Sequence, residues 1–527
     1  MKTSRPFFKS LPGVSALSFI LSLLVGGCGP YIAPAAAAAK PVPLAEAWPA
    51  LRPAKVWENF YRFTRIPRPS HHEQQATAFI AGFGRSLGLS TAVDAVGNVL
   101  IRKPAAKGME QLPGVVLQAH LDMVPQKTPW STHDFATDPI RAFVADGWVH
   151  ADGTTLGADD GIGVAIIMAL LQADDVAHGP LEALFTVDEE DGFTGIEALA
   201  ADLLQGRYLI NVDNEEDGQF IISSAGGVYG DARAAYAEVA TPAHMTGLAI
   251  TLSGLIGGHS GSDIDKGRAS AHRLMARLLA EAPAECGVRL ARLTGGDAKN
   301  AIPRETTAVV AIAADQTGLF GAYVDDFRAR VAKELAATDP GFAATVKPAG
   351  LPAKVMEARA QRALIGAVYA APQGVYRMSA DVPGLVETSS NVGVLAIGDG
   401  RFAATTYVRS AIDSERDAEA RRFAAVFQNA GAAVTLYGAY ASWPPNPHSP
   451  LLALMKQVYA DLYSAPPRVE AAHAGLETSV AGVKYPGMDM ISIGPTILNV
   501  HTPDERLEVA TVGKAYDLLV AVLGKIR

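Results

Sequence analysis

His120 and Asp122 stand two residues apart at the end of the apolar run Val115-Val116-Leu117. The alternation of an extended chain points both side chains to the same side. An imidazole with a carboxylate beside it is a metal-ligand arrangement if partners exist elsewhere; alone, such a pair more often marks a polar strand end. Three acidic stations follow. Gly157-Ala158-Asp159-Asp160-Gly161 is a glycine-rich turn into a helix, and its two carboxylates would repel the phosphate that such turns often cradle. Leu181 to Val187 runs straight into Asp188-Glu189-Glu190-Asp191, and Tyr208-Leu209-Ile210-Asn211-Val212 ends in Asp213. Each run by itself reads as a solvated turn or, at Asp159 or Asp160, as a helix N-cap. Gathered in one place they are strongly unfavourable unless a multivalent cation neutralises them. His501, in the turn His501-Thr502-Pro503-Asp504-Glu505, supplies a second imidazole.

The elements that must position these groups alternate. Helical spacing covers residues 57–64, 74–90 and 164–173, with strands expected at 98–101 and in the apolar runs ending at His120, Val187 and Val212. This alternation predicts an α/β domain with a mostly parallel sheet, whose ligand sites lie beyond the carboxyl ends of its strands. From about Gly227 the acidic strand ends stop. Two groups of strands and helices, about 248–348 and 358–438, predict an inserted α+β domain in two halves, although no repeat is visible in the letters. The sheet pattern returns with a helix at 450–464, a strand at 488–493 and a last helix within 506–526. The expected organisation is a signal and tether at 1–45, a catalytic domain in two parts at 46–226 and 441–527, and a lid at 227–440. His71 and His72 read as surface residues of a polar loop. His259, in Gly257-Gly258-His259-Ser260-Gly261, can be functional or a plain loop histidine on spacing alone.

At 527 residues the chain exceeds one compact core. A net charge of -9 without a basic tract argues against nucleic acid as a partner. Two cysteines exclude a disulfide framework and a Cys-rich zinc site, leaving any metal to His and carboxylates. Lys2, Arg5 and Lys9 precede an apolar segment at 14–25 that ends in Gly26-Gly27-Cys28. This predicts a lipoprotein signal with Cys28 as the lipid anchor; the alternative is a secretory signal cut within 35–39. Both export the protein to the periplasm or cell envelope, with the Pro/Ala stretch 30–43 as tether. No later run of about twenty apolar residues follows, so membrane contact is expected only through Cys28. Cys286 reads as a buried small hydrophobe.

Five separated motifs, His120-Leu121-Asp122, Gly157 to Gly161, Glu189-Glu190, Asn211-Val212-Asp213 and Gly494-Pro495-Thr496 with His501, together resemble the M20 family of metallopeptidases. The likeness runs from about residue 46 to the end. Gly153 to Asp159 and Ala472-His473-Ala474-Gly475-Leu476-Glu477 point to its aminoacyl-histidine (Xaa-His, carnosinase-like) dipeptidase branch. The resemblance implies a zinc-peptidase-like α/β/α catalytic domain interrupted by an α+β lid. It implies two divalent ions, zinc with cobalt or manganese as alternatives, bridged by Asp159. One ion would be completed by His120 and Asp213, the other by Glu190 and His501, with Asp160 behind them. Asp122 would orient His120, and Glu189 would act as general base on a water between the ions. From the lid, His259 would stabilise the oxyanion, Asn300 would contact substrate and Arg409 would pair with its free carboxylate. The substrate implied is a dipeptide, with histidine second as the leading choice. An aminoacylase, carboxypeptidase or tripeptidase of the same family, or a lipid-anchored peptide-binding protein, are the alternatives. Monomer and homodimer both remain open. The export signal departs from the family, whose members are mostly cytosolic.

Overall fold

Val115–His120, Leu181–Thr186 and Tyr208–Asn211 are buried along their whole length. Continuous aliphatic runs of this kind suit a sheet covered on both faces. Val115, Leu117 and Ala119 pack into a core shared with the helices Ala54–Phe63, Ala158–Gln172 and Val509–Lys525. Val116, one residue out of phase, joins a smaller core on the opposite face with Ile196 and Val480. The computed structural model describes residues 40–380 and 382–527; the export and lipidation expectation, which rests on residues 1–28, lies outside them.

Among the described residues the first large sheet runs in the order Ser90–Val93, Val99–Lys103, Leu181–Thr186, Val115–His120, Tyr208–Asn211, Asp489–Ser492, Gln219–Ser224, Arg468–Ala472. The four strands from Leu181–Thr186 to Asp489–Ser492 are adjacent and mutually parallel. Their carboxyl ends therefore open on one edge, and His120, Glu189, Glu190 and Asp213 follow directly from three of them.

Residues 226–440 form a second, antiparallel sheet ordered Ala343–Ala349, Met245–Ser253, Thr306–Ala313, Arg289–Gly295, Val386–Gly398, Arg401–Ser410, Gly226–Ala235, Ala433–Tyr440. Numbered in chain order within each half, the strands run 4-1-3-2 and then 2-3-1-4, two β-α-β-β-α-β units meeting at their second strands. The second unit takes its first strand, Gly226–Ala235, from ahead of the first unit. The expected group 358–438 is thus incomplete, and a repeat split in this way has no contiguous copy to detect. Both sheets belong to one compact unit, Pro41–Arg527. Two helix boundaries differ from expectation by more than three residues. The helix at 74 ends at Ser86 rather than 90, because Gly88 turns the chain with φ +70° into the strand Ser90–Val93. The helix expected from 164 starts at Ala158, with non-helical backbone at Asp159 and Asp160.

Gly494 follows the strand Asp489–Ser492 where Asn214 leaves Tyr208–Asn211, and the two backbones touch: Asn214 N donates to Ile493 O at 3.2 Å. A Cβ on Gly494 would lie 1.6 Å from the Asn214 carbonyl oxygen. Gly494→Ala is expected to destabilise the protein by about 1–3 kcal/mol, the usual cost of forcing backbone apart in a packed interior. Gly350→Ala, where a Cβ meets nothing within 4 Å, is the control in parallel thermal melts; equal midpoints for the two variants would contradict this reading.

Candidate metal centre

His120 ends its strand with its ring 1% exposed. Its Nδ1 meets Asp122 Oδ1 at 3.2 Å, while its Nε2 faces Asp159 Oδ1 at 3.1 Å and Asp213 Oδ1 at 3.4 Å. The other oxygen of Asp159, Oδ2, lies 3.1 Å from His501 Nε2, which is also 2.9 Å from Glu190 Oε2. One carboxylate thus stands between two imidazoles, each backed by a further carboxylate. Ligand atoms of His120, Asp159 and Glu190, and those of His120, Asp160 and Asp213, lie within 4.8 Å of one another. Asp160 is already engaged: Oδ2 accepts from His120 N at 3.2 Å and Oδ1 from Gly163 N at 3.1 Å, which fixes the backbone of both segments.

The donor set suits divalent metals of the zinc type, which take neutral imidazole and carboxylate. The electrostatics point the same way. Burial, then the charge of Asp159, pushes Glu190 up to about 7. Burial also raises Asp213, to about 6, against the pull of His120. Glu189 is pushed well above the carboxylate range, first by burial. Glu215 keeps a solvent-facing surface, yet desolvation by the surrounding protein, then the charges of Asp159 and Asp213, raises it to about 8. Burial favours the protonated form of Asp159 too, but His120 and His501 outweigh it and hold Asp159 well below the usual range. Burial opposes the charge on His501, yet Asp159 and Glu190 raise it to about 11. Anions this crowded call for positive charge, and Glu190 Oε1 is buried without a hydrogen-bond partner.

Asp122 contacts more than His120. Its oxygens accept from the backbone N of Glu189 at 3.0 Å and of Glu190 at 3.2 Å, and from Ser70 Oγ at 2.8 Å. The exposed His71, expected only at the surface, also ties this loop through Asp188 at 3.1 Å and Asp191 at 2.8 Å.

The lid brings His259 and Arg409 together within one chain, with Arg409 Nη2 3.3 Å from His259 Nε2. Burial, then Arg409 and the charge of His501, lowers His259 to about 4, so its ring is neutral. Its Nδ1 accepts from the backbone N of Gly261 at 3.3 Å and of Ser262 at 3.2 Å and lies 3.2 Å from Ser262 Oγ, which leaves the one ring proton to Nε2. His259 lies on a short strand, Gly258–His259, and is half-buried rather than in an open turn. Asn300 is exposed beside it, its carbonyl accepting from Ser260 N at 2.8 Å.

Residues 116–525 match the family model for peptidase family M20/M25/M40. The chain belongs to the M20 peptidase family. It is 40% identical over 476 residues to the cytosol non-specific dipeptidase of Escherichia coli (strain K12), covering 90% of this chain and 98% of that protein. The structure of an aminoacylhistidine dipeptidase from Vibrio alginolyticus superposes with TM-score 0.85 at 39% identity, over 91% of this chain and 98% of its own. A Staphylococcus aureus tripeptidase shares the fold at 15% identity and TM-score 0.52, over 90% of this chain and 99% of its own.

Several supporting residues of this M20 chain escape a sequence reading. Glu505, 2% exposed, accepts from four backbone N–H groups, Leu156 at 2.7 Å, Gly157 at 3.0 Å, Ala158 at 2.7 Å and Asp159 at 3.3 Å. Buried Arg68 donates to the carbonyls of Leu121 at 2.9 Å, Asp122 at 2.6 Å and Gly157 at 2.5 Å. Together they lock the His120 and Asp159 segments to each other. Glu477, fully buried, accepts from Gln118 Nε2 at 2.6 Å and Thr186 Oγ1 at 2.7 Å, beneath the strand ends. Its place in the Ala472-to-Glu477 motif was the available signal.

Burial raises Glu477 to about 8 from an ordinary 4.5, with Thr186 and His120 opposing and the charges of Asp213 and Asp122 assisting. A carboxyl raised on folding adds stability that is complete below about pH 4.5 and disappears as pH climbs through about 8. Gln imitates the protonated form at every pH. In metal-free protein, Glu477→Gln is therefore expected to gain stability over wild type between pH 5 and 8, by on the order of 3 kcal/mol. Denaturant melts at the two pH values read the gap, and a pH-independent difference would contradict it.

Proposed function

We propose that this chain is an exported di-metal dipeptidase that hydrolyses unblocked dipeptides, Xaa-His among them. The observation that carries the reading is the Asp159 carboxylate, each of whose oxygens faces a different imidazole at 3.1 Å. His120 with Asp213, and His501 with Glu190, would hold one cation each, and Asp159 would bridge them. Two divalent cations, zinc before cobalt or manganese, polarise a scissile carbonyl and lower the pKa of water when bound there. Glu189, held in place through its own backbone by Asp122, takes the proton of the attacking water and passes it to the leaving amine.

The lid supports short substrates. Arg409 is 4% exposed, forms no ion pair among the described residues, and its Nε is buried without a partner. A guanidinium in that state suits a bidentate carboxylate. A substrate's terminal carboxylate would draw Arg409 from His259, freeing the proton on His259 Nε2 to stabilise the oxyanion, with Asn300 at the rim. The E. coli and Vibrio relatives are named as dipeptidases, and the latter's name supports histidine at the second position. The basic and apolar N-terminal residues with Cys28 support export, a departure from the cytosol for which the E. coli protein is named.

Metal-loaded protein is expected to cleave Xaa-His and other free dipeptides well above N-acyl amino acids and tripeptides. Glu189→Gln should keep its metal and lose about 10²–10⁴-fold in kcat, the usual contribution of a general base. A preference for N-acyl amino acids would overturn the dipeptidase assignment, and undiminished turnover by Glu189→Gln would remove Glu189 as the base.

A further inference from the structure

Glu215, Glu216 and Asp217 follow Asp213 in sequence, and two of the three have cations of their own. Glu216 pairs with Arg468 at 2.6 Å, and Asp217 pairs with Lys514. Glu215 has no ion pair and no side-chain hydrogen bond among the described residues, and it is exposed to solvent. Its backbone is not free to drift: its carbonyl accepts from Ile497 N at 3.0 Å, and Asn214 beside it is clamped against Ile493 and Gly494. Glu215 stands two residues beyond Asp213, at the same strand end.

Glu215 lines a cavity of about 870 Å³ whose lining also includes Gly261, Ser262 and His473 of the lid side. Ser262 touches His259, which lies against Arg409. The cavity therefore presents an unpartnered carboxylate from the catalytic side, and through Ser262 and His259 it adjoins the ion-pair-free buried guanidinium of Arg409 on the lid side. A dipeptide carries the complementary charges, an ammonium and a carboxylate at most about 7 Å apart.

We infer that Glu215 receives the free α-ammonium of the substrate and is the residue that makes the enzyme require an unblocked amino terminus. This rests on the dipeptidase reading above. It adds the element which that reading lacks, since Arg409 selects for a carboxylate and nothing else described selects for an amine.

Metal-loaded wild type and Glu215→Gln are compared on a free dipeptide and on the same compound with hydrogen in place of the amine, with bound metal counted for each. Wild type should prefer the amine. In Glu215→Gln the ratio of kcat/KM between the two substrates should fall about 100-fold, the scale of one lost charge-assisted contact, chiefly through KM on the free dipeptide. Metal content should be unchanged, Glu215→Asp should recover part of the preference, and Glu216→Gln, a neighbour with its own arginine, should keep it all. A wild type indifferent to the amine would overturn the dipeptidase reading and this inference with it. A selective wild type with an equally selective Glu215→Gln would overturn this inference alone, as would loss of bound metal from Glu215→Gln, which would make Glu215 a ligand.

Discussion

The concentration of negative charge at one sheet edge is the constraint on which the rest of the molecule turns. Asp159, Glu189, Glu190, Asp213 and Glu215 act on one another's charge, and all but Asp159 are pushed up, toward the protonated form. Two histidines inserted among them are raised above the ordinary imidazole range for the same reason. Cations with two positive charges would resolve the conflict by taking the place of protons, which would link metal affinity to pH and metal binding to the stability of the fold.

Such a cluster must be held against its own repulsion, and the fold does so largely by gripping the backbone that carries it. Four parallel strands deliver the groups from one direction, while Glu505 and Arg68 bind main-chain N–H and C=O groups of the segments bearing Asp159 and His120. Asp122 performs the same service for Glu189 and Glu190 while also contacting the His120 ring. The lid contributes the opposite polarity. Its two mirrored β-α-β-β-α-β units put His259 of one beside Arg409 of the other, so a single chain supplies both sides of the cleft.

Much of the site was legible because chemistry and strand ends coincide. His120, Glu190 and Asp213 each terminate an apolar run, and parallel α/β order brings such ends to one edge. The supporting residues were not legible for a physical reason. Glu505 and Arg68 act on backbone groups hundreds or tens of residues away, and nothing in their neighbours' letters records the partner. The lid repeat was hidden by its split first strand, and Glu215 is set apart from Glu216 and Asp217 only by the fold, in which Arg468 and Lys514 neutralise the other two.

The central claim, that Asp159 bridges two cations, is tested most directly by anomalous diffraction at the zinc edge from zinc-loaded crystals. The account predicts two strong peaks flanking the Asp159 carboxylate, one against His120 and Asp213 and the other against His501 and Glu190. A single peak, or two peaks that do not share Asp159, would contradict it.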